Sequence, residues 1–238
     1  MSGRLLLPTL LRGLQKLLAP GVCQGCGTES VDSAMLCRTC RPLLPVIDHP
    51  CCYCGQPNPV NTLVCPACLR QPPVWQGLVA PLHYRGLTRE LLLQLKNGSA
   101  LHLATGLCEL TCEQLEARRP RPEVLLPVPL HRARLLERGY NQAGEIARAW
   151  SRLLDLPVDY QALSRTRSTI AQAGLSQRQR RQNIASAFAY RPRRQYRHVA
   201  IVDDIVTTGS TAGEIAGLLH RHEVEHVEVW ALARTCRN

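Results

Sequence analysis

No stretch of this chain restricts its fold as tightly as residues 199–211, Val-Ala-Ile-Val-Asp-Asp-Ile-Val-Thr-Thr-Gly-Ser-Thr. Four consecutive apolar residues suit a strand buried on both faces, as in a parallel sheet. Two carboxylates and a turn of small, hydroxyl-bearing residues follow, and residues 212–219, Ala-Gly-Glu-Ile-Ala-Gly-Leu-Leu, read as a helix. Ligands of open α/β sheets collect at the carboxyl ends of such strands. Backbone N–H groups of a turn that enters a helix, with the helix dipole behind them, form an anion cradle. The hydroxyls of Thr207, Thr208, Ser210 and Thr211 around Gly209 add donors without adding charge.

Asp203 and Asp204 beside such a cradle suit a ligand carrying a phosphate together with vicinal hydroxyls or a bound divalent metal. A ribose 5-phosphate answers that description. The plainer alternative is a strand–turn–helix in which Thr and Ser only cap the helix. A Walker-type loop fits less well, because no Gly-Lys-[Ser/Thr] occurs at Gly209.

At 238 residues the chain has room for one large domain and a small one, on a scale of roughly 150 residues per domain. Its formal net charge of +11 comes almost wholly from arginine, since Lys16 and Lys96 are the only lysines. Arginine recognises phosphate and carboxylate through a planar fork that lysine lacks. Such a balance points to polyanionic partners, either nucleic acid or a phosphate-rich small ligand. With three Trp, six Tyr and one Phe, a stacking platform for single-stranded bases is not evident.

Eight of the twelve cysteines form four Cys-x2-Cys pairs: Cys23/Cys26, Cys37/Cys40, Cys51/Cys54 and Cys65/Cys68. That spacing chelates one ion rather than bridging distant segments. Two such knuckles supply the four thiolates of a tetrahedral structural zinc. Four knuckles therefore predict two four-cysteine sites, paired sequentially or crossed, with Cys52 spare. A closed four-thiolate shell leaves no open position, which makes the metal structural. The segment is short and proline-rich, and metal binding of order ~10–16 kcal/mol would supply the stability that a core cannot. Pro72-Pro73 marks the expected hinge.

Leucines at 7, 10, 11, 14, 17 and 18 recur at helical spacing, predicting an amphipathic helix over 1–20 that packs on the body of the protein or lies on a membrane surface. No run approaches the ~18 apolar residues of a membrane span, and no cleavage-site pattern follows the leucines. The expected location is cytoplasmic, with a peripheral position at the inner membrane as the variant of it.

Further along, residues 78–84 suggest a strand, 88–95 a helix ending at Lys96-Asn97-Gly98, and 99–117 a second helix that holds Cys108 and Cys112. Residues 124–129, Val-Leu-Leu-Pro-Val-Pro, read as a buried strand. A basic loop with Arg132, Arg134 and Arg138 follows, then a helix to about 154. Strand, basic loop and helix again make an anion site, and a second one beside the first suits a ligand with a second phosphate group. Between Asp159 and Asp203 lie nine arginines and no carboxylate. Such a segment repels itself unless an anion is present, which fits a loop closing over pyrophosphate or a nucleic-acid surface. Residues 224–233 make the last strand.

Residues 199–211 resemble the phosphoribosyl pyrophosphate (PRPP) signature of type I phosphoribosyltransferases. Together with the cysteine knuckles, the Pro127–His131 strand end, the Arg138-Gly139-Tyr140-Asn141-Gln142 motif and the series Arg165, Thr169, Gln172, Leu175, Arg180, Asn183, Phe188, nearly the whole chain resembles the ComF family, including its GntX branch. One departure is Asn97, where the family pattern has an aromatic after the lysine. The resemblance implies an α/β fold: a type I phosphoribosyltransferase-like domain with a central, mainly parallel sheet flanked by helices, at 75–238, preceded by a double zinc-ribbon domain at 21–74. It implies Asp203 and Asp204 as the catalytic pair facing the ribose hydroxyls, with Thr207, Thr208, Gly209, Ser210 and Thr211 around the 5-phosphate. Arg132, Arg134, Arg138, Gly139, Asn141 and Gln142, with a closing loop of Arg165, Gln172 and Arg180, would hold pyrophosphate and Mg2+. It also implies a role in competence or in the use of DNA as nutrient. The protein would then be either a PRPP-dependent transferase or a non-catalytic single-stranded-DNA-binding accessory that keeps the PRPP site as a regulatory or vestigial one. Its partners would be a competence helicase or an inner-membrane uptake channel.

Overall fold

The computed structural model describes residues 21–30, 35–58, 62–97, 102–166 and 187–236. The helix expected over 1–20 lies outside them, as do Thr169, Gln172, Leu175, Arg180 and Asn183.

The centre is a sheet of β3 (Gly77–Val79), β4 (Leu82–His83), β5 (Val124–Pro127), β8 (His198–Val206) and β9 (His226–Arg234). The path runs β3-β9-β8-β5, with β4 also on β9, and every pairing in it is parallel. A parallel bridge between Leu125 and Val158 extends the sheet beyond β5. The apolar run at 199–202 does what its composition demands: Val199 and Ile201 enter one core, Ala200 and Val202 the other. Val124 and Leu126 of β5 face the first of these cores and Leu125 the second.

One face of the sheet is covered by α2 (Gly86–Lys96), α3 (His102–Glu116) and α5 (Gln142–Leu154), whose Leu91, Leu95, Leu107, Ile146 and Trp150 are fully buried. The other face holds α6 (Ser210–Arg221), through Ile215, Ala216 and Leu219, and the antiparallel pair β6 (Leu163–Arg165) and β7 (Phe188–Tyr190). Cys108 and Cys112 are buried in α3, as packing residues rather than ligands.

Two elements differ from the sequence expectation. The strand expected over 78–84 is two short ones, β3 and β4, on either side of Pro81, which has no N–H to donate to a ladder. The basic segment after β5 is not an open loop. Its arginines lie on a short helix, α4 (Arg132–Arg138), whose first turn is capped by His131 accepting from the Ala133 N–H at 3.3 Å. Gly139, at φ 76°, closes that helix.

The cysteine-rich segment contains the pair β1 (Gly21–Val22) and β2 (Glu29–Ser30), a 3-10 turn at Arg41–Leu43 and the short helix α1 (Pro66–Arg70). Cys23, Leu36, Cys40 and Leu44 share one core with α2 and α3, whereas Cys51, Cys65 and Cys68 form a small cluster of their own with Tyr53 and Val64. Backbone bonds stitch the segment to the sheet edge: Leu78 N–H donates to Cys52 O at 2.8 Å, and His83 N–H to Pro45 O at 2.8 Å.

Candidate functional site

β8 continues through the carboxylates, so Asp203 and Asp204 are strand residues at the carboxyl end of the sheet rather than members of the loop. Both are half-buried. Asp204 N–H donates to Asp203 Oδ1 at 2.9 Å, and Ile205 N–H to Asp204 Oδ1 at 2.8 Å. Burial, and next the Asp204 charge, push the Asp203 carboxyl well above the usual carboxylate range. Arg165, at the end of β6, feels this carboxylate too: burial and the Arg134 charge lower its pKa, and Asp203 opposes them. The structure thus brings Asp203, Arg134 and Arg165 into one electrostatic neighbourhood, although they come from three separate elements.

The loop beyond β8 turns at Gly209, in the left-handed region at φ 79°. Thr208 Oγ1 and Ser210 Oγ lie 2.8 Å apart, and Ser210 N–H donates to Thr208 Oγ1 at 3.3 Å. α6 starts at Ser210, which places its positive end at the loop. Thr207 is exposed and Thr211 half-buried.

The Arg-Gly-Tyr-Asn-Gln motif does internal work. Tyr140 OH donates to Leu95 O, Gln142 Nε2 to Lys96 O at 3.2 Å, and Asn141 Nδ2 to Val128 O at 3.0 Å. These bonds fasten the end of α2 and the segment after β5 to α5. Arg138 Nη1 donates to Gln142 Oε1 at 3.4 Å, while Arg132 is exposed on α4.

Sequence reasoning missed two residues at this site. Arg234, the last residue of β9 and 6% exposed, reaches across the carboxyl end of the sheet. Its Nη1 donates to Val206 O at 2.8 Å, to Thr207 O, and to Thr235 O at 3.2 Å, and its Nε to Cys54 O at 2.9 Å. Trp75 packs its ring against Gly209 and donates Nε1–H to Tyr53 O at 2.6 Å. A charged residue closing the apolar run 229–233 is the signal that could have exposed Arg234; Trp75 left none. Between the second cysteine group and the loop is a cavity of about 760 Å³, lined by Cys54, Gln56, Trp75, Thr208, Ser210 and Arg234 among others.

The cysteines gather sequentially. Cys23, Cys26, Cys37 and Cys40 form one group and Cys51, Cys54, Cys65 and Cys68 the other, each with its sulfurs within 4.8 Å of one another. The Sγ atoms of Cys26 and Cys37 are 3.9 Å apart, and those of Cys54 and Cys65 3.8 Å. A tetrahedron of zinc–sulfur bonds near 2.3 Å has edges of about 3.8 Å, so both groups fit that ion. N–H groups of Cys37 and Cys65 point at the sulfurs of Cys23 and Cys51, each at 3.3 Å. Burial would raise those two thiols, but backbone N–H donors outweigh it and hold them at about 6 and about 7. Burial pushes Cys40 up to about 12 and raises Cys68. A divalent cation at the centre would supply the charge that lets all four thiols ionise.

A third group, His198, His226 and Glu228, lies at the opposite end of the sheet. Both His Nε2 atoms stand 3.6 Å from Glu228 Oε1. Arg118 already neutralises that carboxylate, donating to Oε1 at 3.1 Å and Oε2 at 3.3 Å, and Trp230 Nε1–H holds Oε2 at 2.7 Å. Glu228 is thus a buried carboxylate already paired with Arg118.

A parallel sheet with carboxylates, a hydroxyl-rich turn and a helix N-terminus at its carboxyl end, behind two four-cysteine groups, defines an α/β protein with candidate metal-site knuckles. Comparison narrows this. The chain is 38% identical to the DNA utilization protein YhgH of Escherichia coli K12 over 225 residues, 92% of this chain and 99% of that protein. It is 36% identical to YhgH of Salmonella typhi over the same length, and 36% identical to competence protein F of Haemophilus influenzae over 207 residues, 84% of this chain and 90% of that protein. No family model matches the chain. The chain belongs to the ComF family. Among the described residues no helix is long and apolar enough to cross a membrane.

Proposed function

We propose that this protein binds PRPP at the carboxyl ends of β5 and β8 and transfers its ribose 5-phosphate to a nucleophile, in the service of DNA use or uptake. The observation that carries this is the adjoining of Asp203 and Asp204, the 207–211 loop and the Arg134–Arg165 charge. In such a transfer the bond from C1 to pyrophosphate breaks, the electron pair leaves with pyrophosphate, and the nucleophile's lone pair forms the new bond to C1. The protein's part is positioning and electrostatic stabilisation. Loop N–H groups and hydroxyls hold the 5-phosphate. Asp203 and Asp204 accept the ribose hydroxyls and favour a cationic ribose. Arg132, Arg134, Arg138 and Arg165, joined by Gln172 and Arg180, take the pyrophosphate charge. Mg2+, for which the two carboxylates are suitable hard donors, would neutralise further charge on the pyrophosphate. The two cysteine groups hold structural Zn2+ in a segment spanning 21–74, and the site of action is the cytoplasm.

Calorimetry with PRPP and Mg2+ tests the reading: binding is expected in the wild type and its loss in an Asp203→Ala, Asp204→Ala double variant. A folded protein that gives no heat with PRPP sinks it. Product formation assayed across a set of bases then names the acceptor.

The relatives' names and the +11 charge favour a second role, direct binding of single-stranded DNA. With few aromatics, affinity would come from phosphates and fall steeply with salt. Anisotropy of a labelled strand should show binding at low salt that PRPP competes away only if the two share a surface. No binding at low salt removes this role.

A further inference from the structure

The proposed phosphate loop is not held by the sheet alone. Two side chains join it to the second cysteine centre, and each spans the same gap by a different route. Arg234 sets its Nη1 on the carbonyls of Val206 and Thr207, the strand end and first loop residue, while its Nε sits on the carbonyl of Cys54, a cysteine of that centre. Trp75 lays its ring on Gly209 at the loop's tip while its Nε1–H is bonded to the carbonyl of Tyr53, the residue before Cys54. A third link runs in parallel: Gln56 Nε2 donates to Thr235 O at 3.1 Å, and Thr235 N–H donates to Val206 O at 3.0 Å. Gly55, at φ 66°, lets the knuckle close on this strut, since a Cβ there would come 2.5 Å from Leu78 and 3.8 Å from Arg234.

We infer that Arg234 is a positioning residue through which the Cys51/Cys54/Cys65/Cys68 centre, when it holds its metal, sets the conformation of the 207–209 loop and hence the loop's affinity for phosphate. The inference rests on the reading of 207–211 as a phosphate loop. The physical reason is geometric. The carbonyls of Tyr53 and Cys54 point at the loop side only while the Cys51–Cys54 knuckle keeps its turn. That turn is closed by Gly55 N–H on Cys51 O and Cys51 N–H on Gln56 O, each at 2.8 Å, and one ion shared by Cys51, Cys54, Cys65 and Cys68 would lock it. Inside the loop the bend is held by the Ser210 hydroxyl and N–H on Thr208 Oγ1; the Arg fork and the indole add a hold from outside. Lysine cannot replace the fork, because a single ammonium does not reach the carbonyls on both sides at once. The first centre, Cys23/Cys26/Cys37/Cys40, packs in the core with α2 and α3 and has no such link among the described residues.

The test uses the full-length, zinc-loaded protein with Arg234→Lys, Trp75→Phe and Cys68→Ser. Three quantities are read: zinc per chain, hydrogen exchange of the 207–211 amides without ligand, and affinity for ribose 5-phosphate and PRPP. Arg234→Lys is expected to keep the wild-type zinc content and overall fold, yet exchange the 207–211 amides roughly tenfold faster and bind ribose 5-phosphate roughly tenfold more weakly, the usual size of a site-to-site coupling. Trp75→Phe should move both in the same direction. Cys68→Ser should lose zinc and reproduce the faster exchange. Wild-type exchange rates in Arg234→Lys, with zinc retained, overturn the inference whether or not Cys68→Ser folds. If the exchange accelerates as expected but the wild type binds neither ribose 5-phosphate nor PRPP, the coupling stands and the phosphate reading falls.

Discussion

Gly209 meets two demands that only glycine satisfies together. Its φ of 79° is a region other residues rarely adopt, and a Cβ would stand 2.9 Å from Trp75 Cη2. Gly209→Ala should therefore cost about 1–3 kcal/mol of stability by urea unfolding and weaken phosphate binding as Trp75 is displaced. Asp203 is the opposite kind of residue, one that strains the fold for the sake of its site. Its folded pKa is raised by burial and by Asp204, so the folded state binds its proton more tightly than the unfolded chain does. The stabilising contribution of that protonation is full below the unfolded carboxylate value and is lost as pH rises through the folded one. At pH 7 Asp203 is thus a net burden. Asp203→Asn should melt a few degrees higher than wild type near neutrality, at about 2–4 °C per kcal/mol for a chain of this size, while losing PRPP. Calorimetric melts at pH 4 and pH 7 check this, because the gap between the two proteins should shrink at the lower pH.

At the scale of elements, the pair β8–β9 carries the candidate site at one end and the buried Glu228 carboxylate at the other. His198 and His226 are register partners at the two strand starts, and Glu228 follows two residues on. Burial would raise the Glu228 carboxyl; the contact with His198 and the donors of Arg118 and Trp230 overcome it and hold it at about 2. A folded pKa below the unfolded value, near 4.5, means stability that is fully present above about 4.5 and lost as pH falls through about 2. The difference is worth of order 3 kcal/mol. Glu228→Gln should therefore unfold at lower urea at pH 7, by that order, and lose most of its deficit by pH 2. Trp230, two residues further on, meets Trp150 of α5 edge-on at 6.2 Å, so the anchor also seats a helix.

At the scale of the whole molecule, the two cysteine centres should answer differently to metal removal. The first shares its core with α2 and α3, and Met35 packs so closely on Gly106 that a Cβ there would come within 2.7 Å. The second touches the sheet mainly through Leu78, Arg234 and Trp75. Titration with a chelator is expected to give two steps: an early loss of one metal with faster exchange at 207–211, and a later loss that lowers the melting temperature by 10 °C or more, about 3–5 kcal/mol. One cooperative step in metal content, exchange and melting alike would show that the centres are energetically a single unit.

Much of this was legible in the chain itself, because the signals were local. Apolar residues at 199–202 suit a doubly buried strand, Cys-x2-Cys is a chelating spacing over a single turn, and Asp-Asp shortly before Thr-Thr-Gly-Ser puts acceptors and donors within a few residues of one another. What the sequence could not decide was whatever depended on distant segments meeting. Whether the knuckles paired in order or crossed is a matter of which turns pack together, and the structure pairs them in order. The helix at 132–138 is a different case, since its His131 cap and left-handed Gly139 are local features that the reading of a basic loop passed over. Arg234 and Trp75 lie 180 and 22 residues from the carbonyls of Cys54 and Tyr53 that they hold. Residues 207–211 suggested by themselves a cradle for phosphate. Only the tertiary structure decided that this loop is propped from the carbonyls of Tyr53 and Cys54, more than 150 residues earlier in the chain, because a strut requires both of its ends to be in place.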